Sequence, residues 1–332
     1  MERKVWLITG GAGYIGSHIA DEFLNEGKSV VIYDSLYSGL ESRIEYLRTK
    51  HKANIPLVKA DIRDFDQLEN VFMLNSFEGI VHCAALKSVD ESIENPKEYT
   101  QVNYGATVAL LEFAKFYEVK KFIFSSSAAV YGNPNSMHPC PESASKIPIS
   151  PYGDTKLQAE EAVSEYLAIK GNLGTSLRFF NVIGTAAAEL RDNSKKNLVP
   201  ILIDRLYERL EISVFGTDYD TPDGTCVRDY VDVRDVSRAH LAVAKSIGEL
   251  PKAMNVGTGF GSSVRNIIDS IEKISNKRFE EVINCHRREG DPAFLCADIN
   301  LSNHAMGFES IYTLNQSLQS LMIVPETLDS AN

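Results

Sequence analysis

A tyrosine and a lysine four residues apart form the first pair in this sequence that could do chemistry. Tyr152 and Lys156 lie in the string SPYGDTK, and residues i and i+4 of a helix share one face. A nearby ammonium favours the phenolate form of a tyrosine and lowers its pKa from the ordinary value of about 10. Ser127, at the end of the run KKFIFSSS, adds a hydroxyl that can hold or relay a proton. Taken alone, such a pair is more often a half-buried ring beside a solvated charge.

A glycine-rich string near the amino terminus indicates a dinucleotide site. TGGAGYIG (9–16) follows an apolar run, opens a helical pattern and reads G-x-G-x-x-G through Gly11, Gly13 and Gly16. Glycines let such a turn approach a pyrophosphate, and the helix N-terminus supplies N–H donors. Asp34 ends the second apolar run, where a carboxylate accepts hydrogen bonds from a ribose 2′-hydroxyl and repels a 2′-phosphate. The predicted cofactor is therefore NAD rather than NADP.

A bound nicotinamide would give the tyrosine and the lysine a reaction. The positive ring and the Lys156 ammonium both favour the phenolate of Tyr152, whose pKa then falls toward neutral pH. Tyr152 could take the proton of an alcohol, bridged by Ser127, while hydride leaves the same carbon. The sequence therefore predicts an oxidoreductive step at a carbinol carbon.

The elements that must position these residues follow an alternating strand and helix pattern. Continuous apolar runs between helical patterns predict an α/β fold with a doubly wound parallel sheet, as in Rossmann domains. The predicted strands are 4–10, 29–34, 55–61, 79–85 and 120–127, and the predicted helices are 14–27, 64–74, 104–117 and 263–275. Ligands of such sheets bind at the carboxyl ends of the strands, near the switch in strand order. After about residue 181 the alternation loosens, which predicts a smaller C-terminal lobe interleaved with the sheet.

Composition excludes several classes of protein. The chain has 332 residues and a formal net charge of −11, from 34 Lys+Arg against 45 Asp+Glu, which argues against a nucleic-acid partner. No apolar run approaches the ~20 residues that span a bilayer, and the start MERKVWLITGG has too short an apolar segment for a signal peptide. The five cysteines are scattered without metal-ligand spacing. We therefore predict a reduced, cytoplasmic protein without a membrane partner or a metal.

The motifs together resemble a known enzyme family. Ser127 and the Tyr-x-x-x-Lys string behind a glycine-rich first turn look like the extended short-chain dehydrogenase/reductase family. The strings GGAGYIGSH, AALKSVDES, FSSSAAVYG, SPYGDTKLQAE, LRFFNVIG, DGTCVRDYVDV and RREGDPA are similar to those of the UDP-glucose (UDP-galactose) 4-epimerases. The resemblance runs from about residue 3 to about residue 318. It implies a UDP-sugar substrate, tightly held NAD and a homodimer.

The resemblance also implies site residues, carried over by matching motif. The catalytic residues would be Ser127, Tyr152 and Lys156. The NAD contacts would be Gly10, Gly13, Tyr14, Ile15, Gly16, Asp34, Asp61, Ile62, Ala84, Lys87, Asn103 and Lys156. The substrate contacts would be Lys87, Ser127, Tyr152, Asn181, Asn197, Leu198, Phe215, Arg228, Arg288, Asp291 and Leu295. Several have plainer interpretations, since Asp61 could cap a helix, Asn181 could be a satisfied loop amide, and either arginine could be a surface ion-pair partner.

The two residues after Ser127 bear on which reaction is expected. Related dehydratases carry an Asp-Glu pair there and decarboxylating relatives a glutamate, whereas Ala128 and Ala129 cannot move protons. The resemblance therefore implies 4-epimerisation, with hydride removal from C4 of the hexose, a 4-keto intermediate and hydride return to the opposite face. The expected reaction interconverts UDP-glucose and UDP-galactose.

The substrate range and the class of activity stay open at this stage. Leu295 stands where relatives vary the residue facing the sugar 2-substituent, and it is smaller than a tyrosine, so the pair UDP-GlcNAc and UDP-GalNAc is a further expectation. The loop NVIGTAAAEL (181–190) departs from the proline- and histidine-containing loop of the family. Alternatives are a 4-epimerase of a uronate or pentose nucleotide, an NAD-dependent sugar-nucleotide dehydrogenase or reductase, and a non-enzymatic NAD-sensing regulator.

Domain boundaries and a subunit interface complete the expectations. Residues 1–180 are predicted to form the NAD-binding Rossmann domain, with about 225–260 returning to it, and 181–332 mainly the UDP-sugar-binding lobe. The resemblance implies dimer contacts on helices at 104–117 and 153–170. The apolar stripe of the first of these, Leu110, Leu111, Phe113, Ala114 and Phe116–Tyr117, is compatible with an interface but is more often core.

Overall fold

A seven-stranded parallel sheet runs through the centre of the structure, a computed structural model that describes residues 4–134, 136–288 and 290–322. Its strands are β1 (Val5–Thr9), β2 (Val30–Asp34), β3 (Leu57–Lys59), β4 (Phe77–His82), β5 (Lys121–Ser127), β6 (Leu173–Phe179) and β10 (Ala253–Val256). Their spatial order is β10-β6-β5-β4-β1-β2-β3, and each neighbouring pair is parallel. The predicted fold class is thereby confirmed.

Helices connect and flank these strands. They are α1 (Tyr14–Asn25), α2 (Glu41–His51), α3 (Phe65–Leu74), α4 (Val89–Glu94), α5 (Pro96–Tyr99), α6 (Ala106–Phe116), α7 (Pro151–Leu167), α8 (Leu198–Glu208), α9 (Val233–Lys245), α10 (Val264–Ser275), α11 (Asn300–Met306) and α12 (Leu314–Leu321). A π-helical turn (Thr100–Gly105) precedes α6, and 3₁₀ turns lie at Ala128–Tyr131 and Ala188–Leu190. The predicted helix at 104–117 therefore starts inside the π-turn, two residues before α6 begins.

The strand order places a switch point beside the glycine-rich turn. The chain runs outward from β1 to β2 and β3, then crosses back to β4 on the other side of β1. The connections after β1 and β4 diverge there, and they open a crevice at the carboxyl ends of these strands. Residues 10–13 leave β1 at this crevice, and Cys83 and Ala84 leave β4 at the same edge.

Apolar side chains on the two faces of the sheet form separate cores. Trp6 and Ile8 of β1 pack on one face with helices α1, α2 and α9, whereas Leu7 packs on the other face with α3, α6 and α7. Successive residues of a strand point to opposite faces, so a strand covered on both sides must be apolar throughout. This requirement explains the unbroken apolar runs of the sequence.

The second half of the chain supplies further, smaller sheets. β9 (Val227–Asp232) pairs in parallel with β7 (Asn181–Ile183) and β13 (Phe294–Leu295), and antiparallel with β11 (Gly261–Ser263). β8 (Ile212–Phe215) pairs with β12 (Val282–Cys285). β10 nevertheless joins the large sheet beside β6, so the two sets of strands interleave along the chain. The exact lobe boundaries stay a prediction, and their last ten residues, 323–332, lie outside the described residues.

The apolar stripe on α6 belongs mostly to the core. Leu110, Leu111 and Ala114 are buried in the cluster under the sheet, and Phe113 stacks on Phe72 with ring centroids 5.7 Å apart. Phe116 alone of this stripe is mainly exposed, at 77%. In the described part of the chain, no helix has the length and apolarity needed to cross a membrane.

Buried histidines make the stability of this fold sensitive to acid. His82 ends β4 between two threonine hydroxyls, with Nδ1 2.7 Å from Thr9 Oγ1 and Nε2 2.8 Å from Thr107 Oγ1. Thr107 donates its own proton to the carbonyl of Asn103, so it accepts from His82 Nε2–H. Burial and the nearby Lys156 lower the pKa of His82 to about 3. Burial likewise lowers the pKa values of His18 and His240 to about 4.

We expect the substitution His82→Gln to flatten the dependence of stability on pH. Between pH 6.5 and about 3 the unfolded chain binds a proton at residue 82 that the folded protein does not, so the free energy of unfolding falls as the pH falls. At pH 5 this one side chain lowers it by about 2 kcal/mol relative to pH 7. Urea unfolding at pH 7, 6 and 5 measures the slope. His304→Gln, at an exposed position, is the control, and equal slopes for wild type and H82Q would contradict the assignment.

Candidate active site

A strand end and a helix start bring Ser127 and Tyr152 together. β5 ends at Ser127, whose Oγ accepts a hydrogen bond from the N–H of Ala129 at 3.2 Å as the 3₁₀ turn begins. Ser150 caps α7 by accepting from the N–H of Gly153 at 3.1 Å, and Pro151 takes the first helical position. Tyr152 therefore lies in the first turn of α7, hydrogen-bonded to the Ser127 side chain.

The environment of Tyr152 favours the neutral phenol. Burial raises the pKa of its hydroxyl above 10, and the hydrogen bond with Ser127 lowers that pKa in part. Lys156 does not contribute to this shift, since its ammonium is directed at the backbone carbonyl of Ser125 in β5. The lowering of the Tyr152 pKa is expected with a nicotinamide bound, and it stays a prediction.

Lys156 lies one helical turn after Tyr152 and is 4% exposed. Its Nζ donates to the carbonyl of Ser125 at 2.9 Å and lies 4.8 Å from the ring centroid of Phe124. Burial lowers the pKa of this ammonium to about 8, against the opposing influence of Cys83 and Glu160. The structure thus brings the hydroxyl, the phenol and the ammonium to one place, where α7 crosses the end of β5.

A buried ion pair holds α7 at this place. Glu160 lies a further turn along the same helix face, and its carboxylate accepts from Ser126 Oγ at 2.6 Å. Arg178 of β6 donates to both oxygens of Glu160, from Nε at 2.8 Å and from Nη2 at 2.6 Å. The two charged side chains are only 3% and 7% exposed. Sequence reasoning missed this pair, although the spacing of 152, 156 and 160 is a signal that could have indicated Glu160.

The glycine turn has the geometry that a diphosphate requires. Gly10 has a φ of +68°, and a methyl group there would lie 2.7 Å from the N atom of Ala84. Gly16 packs against the carbonyl of Gly10 where no side chain would fit. Gly13 precedes α1 without a side-chain cap, so among the described residues no side chain caps the N–H groups of the first turn, which include those of Tyr14 and Ile15.

Asp34 stands at the expected place beside this turn. It is 7% exposed, with Oδ2 accepting from Ala12 N at 2.9 Å and Oδ1 accepting from Leu36 N at 2.8 Å. Burial raises the pKa of this carboxyl, whereas its backbone hydrogen bonds lower the pKa. An ionised carboxylate has about four lone-pair sites, so these backbone donors leave room for a ribose hydroxyl. Glycine is required at position 39, because the Cβ atom of any larger residue would lie 2.7 Å from Asp34 Oδ1, too close for an ordinary contact.

The other predicted NAD residues surround the crevice, but several use their side chains internally. Tyr14 donates its hydroxyl to the carbonyl of Gly184 at 2.6 Å. Asp61 accepts from Arg63 Nη2 at 2.7 Å, which lowers the pKa of its carboxyl, and Ile62 is buried in the core. The Asp61 side chain is thus engaged by an arginine two residues away.

Ala84 and Asn103 lie at the end of β4, next to α7. The N–H of Ala84 donates to Thr9 Oγ1 at 3.3 Å. Asn103 accepts from Leu86 N at 2.8 Å and donates to the Leu86 carbonyl at 2.9 Å and to Thr155 Oγ1 at 3.2 Å. Asn103 therefore shapes the connection after β4 and joins it to the helix of Tyr152.

The predicted substrate residues form two groups. In the first, Arg228 of β9 is 8% exposed and pairs with the Asp291 carboxylate. Leu295 of β13 pairs with Arg228 across neighbouring strands. The exposed guanidinium of Arg288 lies 4.2 Å from the ring centroid of Phe215, and its carbonyl accepts from the N–H of Asp291 at 3.3 Å. Two arginines, an aromatic ring and Leu295 are thus brought together.

The second group lies on the side of the glycine turn. Asn197 precedes α8 and donates to Asp192 Oδ2 at 2.6 Å, with Leu198 opening the helix. Lys87 is half exposed, and its Nζ lies 4.0 Å from Asp192 Oδ1. Asn181 is exposed at the start of β7, where it pairs with Tyr230 of β9 and so connects the two groups through one small sheet.

Known proteins are similar to this chain in both sequence and structure. The model of the NAD dependent epimerase/dehydratase family matches residues 6–257. The UDP-glucose 4-epimerase of Rhizobium meliloti is 37% identical over 321 residues, 95% of this chain and 94% of that protein. The UDP-glucose-4-epimerase of Stenotrophomonas maltophila, solved with bound NAD and formylated UDP-arabinopyranose, has a TM-score of 0.90 at 35% identity and 96% coverage of both chains. The UDP-Glc/GlcNAc 4-epimerase of Campylobacter jejuni has a TM-score of 0.84 at 34% identity, covering 96% of this chain and 98% of its own.

These matches extend over almost the whole length of the chain, and their sequence identity is higher than a shared fold alone would require. They confirm the resemblance indicated by the motifs. The chain belongs to the NAD dependent epimerase/dehydratase family.

Proposed function

We propose that the protein is an NAD-dependent 4-epimerase that interconverts UDP-glucose and UDP-galactose through a 4-keto intermediate. The observation that carries this proposal is the meeting of Ser127, Tyr152 and Lys156 at the end of β5, with two alanines following Ser127. The crevice beside the glycine turn opens at the same edge of the sheet.

NAD would be held by residues whose geometry fits it. The uncapped first turn of α1 would offer N–H donors to its diphosphate, and Asp34 has lone pairs for a ribose hydroxyl. When bound, NAD would supply a hydride acceptor for C4 of the sugar and, once reduced, a hydride donor. A crevice that retains NAD through both transfers gives an isomerase with no net redox change.

Tyr152 is the proposed base and acid. Its hydroxyl would take the proton of the sugar 4-hydroxyl and later return a proton to the 4-keto oxygen, with Ser127 as hydrogen-bonded bridge. Lys156 supplies a buried positive charge and fixes its position through the Ser125 carbonyl. The positive charge of the oxidised cofactor would then lower the Tyr152 pKa, which burial raises.

The positions after Ser127 favour epimerisation over elimination. Ala128 and Ala129 open the 3₁₀ turn, and neither can donate or accept a side-chain proton. Loss of a hydroxyl from C6, or decarboxylation, would need a further acid or base there. The proposed chemistry is therefore limited to C4.

The UDP part would anchor the substrate while the sugar turns over. Arg228 and Arg288 offer guanidinium donors to a diphosphate, and Phe215 lies beside Arg288. Asn197 and Leu198, at the start of α8, would complete this anchor with Asn181 and Asp291. A sugar held mainly through its nucleotide can present either face of C4 to the cofactor.

The substitution Tyr152→Phe tests the catalytic assignment. We expect it to lower kcat by a factor of about 10² to 10⁴, the usual contribution of general acid–base catalysis, because Ala128 and Ala129 after Ser127 cannot replace the phenol. Bound NAD, measured in the purified protein by absorbance after denaturation, should stay near one per chain. Tyr104→Phe, at a half-buried tyrosine of the π-turn, is the matched control. Substantial epimerisation by Y152F would overturn the proposed role.

The position of Leu295 bears on substrate range. Leu295 is half-buried and packs against the cluster that contains Ala128, the residue after Ser127. It therefore lies close to the strand end that carries the proposed catalytic hydroxyl. The size of this side chain would limit the group on C2 of the sugar, and we propose that UDP-GlcNAc and UDP-GalNAc are substrates as well.

The substitution Leu295→Tyr should narrow the substrate range. We expect L295Y to lose turnover of UDP-GlcNAc about tenfold or more relative to UDP-glucose, since a pocket discriminates a misplaced bulky group by factors of about 10 to 200. Leu295→Met keeps the volume and is the control. UDP-glucose, UDP-GlcNAc, UDP-glucuronate and a UDP-pentose are incubated separately and the products resolved. If the wild type converts only UDP-glucuronate or only the UDP-pentose, that sugar nucleotide is the substrate and the proposal is wrong. Accumulation of free NADH would instead favour a dehydrogenase.

Two lobes, a cytoplasmic location and a homodimer are part of the same proposal. The NAD lobe would comprise residues 1–180 with about 225–260, and the UDP-sugar lobe the remainder. The proposed dimer contacts lie on α6 and α7, where the exposed Phe116 suits an apolar interface. We expect sedimentation velocity to give a dimer for the wild type and monomers for Phe116→Asp. The variant Phe260→Asp, also at a mostly exposed phenylalanine, is the control, and a monomeric wild type would contradict the proposal.

A further inference from the structure

One buried arginine joins the glycine turn to the segment that precedes α8. Arg43 of α2 is 2% exposed, and its guanidinium donates in two directions. Nη1 donates to the carbonyl of Ala12, inside the glycine turn, at 3.1 Å. Nη2 donates to the carbonyl of Arg191 at 2.7 Å. We call residues 191–197 the bridging loop, because they lead from this contact to Asn197 at the start of α8.

Two carboxylates influence the same guanidinium electrostatically. Burial lowers the pKa of Arg43, and the negative charges of Asp192 and Asp34 raise it. Asp34 accepts from the N–H of Ala12, whose carbonyl Arg43 also binds. Asp192 accepts from the side chain of Asn197. Each of the two proposed binding regions therefore contains one carboxylate that favours the charged form of Arg43.

The contacts of Arg43 are directed at these loops rather than at its own helix. α2 is anchored in the core by Ile44 and Leu47, both fully buried, which do not need the guanidinium. Nε–H of Arg43 has no hydrogen-bond partner among the described residues, and an unpaired buried donor costs stability. A cation that stabilises the helix poorly but touches both loops is better explained by its effect on the loops.

We propose that Arg43 is a positioning residue that couples NAD binding to UDP-sugar binding, by holding the bridging loop against the glycine turn. The inference rests on the proposed assignment of Asp34 to NAD and of Asn197 to the UDP-sugar. When the turn is ordered around NAD, the carbonyl of Ala12 holds Arg43, which in turn fixes the carbonyl of Arg191. Coupling of binding free energies is reciprocal, so UDP bound at the bridging loop tightens the binding of NAD, which we expect to observe as slower release of NAD.

The substitution Arg43→Met measures this coupling through cofactor release. Protein loaded with radiolabelled NAD is diluted into excess unlabelled NAD, with and without saturating UDP, and retained label is followed by filtration. In the wild type UDP should slow the release, by about tenfold for a coupling of ordinary size. In R43M the release without UDP should be faster, and the ratio of rates with and without UDP should fall close to one.

A neighbouring arginine provides the matched control. Arg48 lies on the same helix and donates to the carbonyl of Ile55 from Nε at 3.0 Å and from Nη2 at 2.5 Å, without contact to either loop. Arg48→Met should keep the wild-type ratio of release rates. Asp192→Asn acts from the other side of the contact and keeps an acceptor for Asn197. It should reduce the ratio as R43M does, even if R43M proves too unstable to purify.

The outcomes separate this inference from the proposed function. A wild-type ratio in both R43M and D192N would overturn the coupling, as would equal losses in R43M and R48M. The Tyr152→Phe assay measures epimerisation, whereas the release assay needs no turnover, so the two tests are independent. If Y152F epimerises, the catalytic assignment fails while the release assay still reports on Arg43.

Discussion

The buried ion pair between Glu160 and Arg178 is the constraint on which the geometry of the site depends. It joins α7, which carries the tyrosine and the lysine, to β6, and the Ser126 hydroxyl joins it to β5. Removing one partner of such a pair costs about 3–5 kcal/mol, because an unpaired charge is left in the interior. The hydroxyl of Tyr131 extends the network from Arg178 to Asn255 of β10. One charge pair therefore fixes a helix, two strands and the turn after Ser127 in a single arrangement.

Three positive side chains at places where anions are expected lie near carboxylates of the protein. Arg228 pairs with Asp291, Lys87 pairs with Asp192, and Asp192 and Asp34 influence Arg43 electrostatically. Pairing keeps these cations oriented in the protein alone and limits the repulsion between them. An incoming diphosphate would compete with carboxylates that are already in place. The site can then bind a nucleotide sugar without holding its product too tightly.

The sequence predicted the parts of this structure that depend on local pattern. Apolar runs predicted the strands because a sheet covered on both faces leaves no place for polar residues, and the glycine spacing predicted the turn before α1. Residues that act through long-range contacts had no such signal. Arg43 is one of two arginines on a polar helix, and nothing in its spacing shows that its guanidinium reaches the carbonyl of Arg191. The direction of the Lys156 ammonium, toward Ser125 instead of the phenol, likewise follows from the packing of α7 on β5.

The burial of Tyr152 and Lys156 also explains how one site could run a reaction in both directions. Burial raises the pKa of Tyr152 and lowers that of Lys156 to about 8, so both side chains lie closer to their neutral forms than in water. In such surroundings a single additional charge has a large effect on proton affinity. Tyr152 would be a strong base only beside oxidised cofactor, and would hold its proton firmly once hydride has neutralised that charge. A proton would then move from the sugar 4-hydroxyl to Tyr152 when hydride leaves C4. It would move from Tyr152 to the 4-keto oxygen when hydride returns, without a second acid or base in the site.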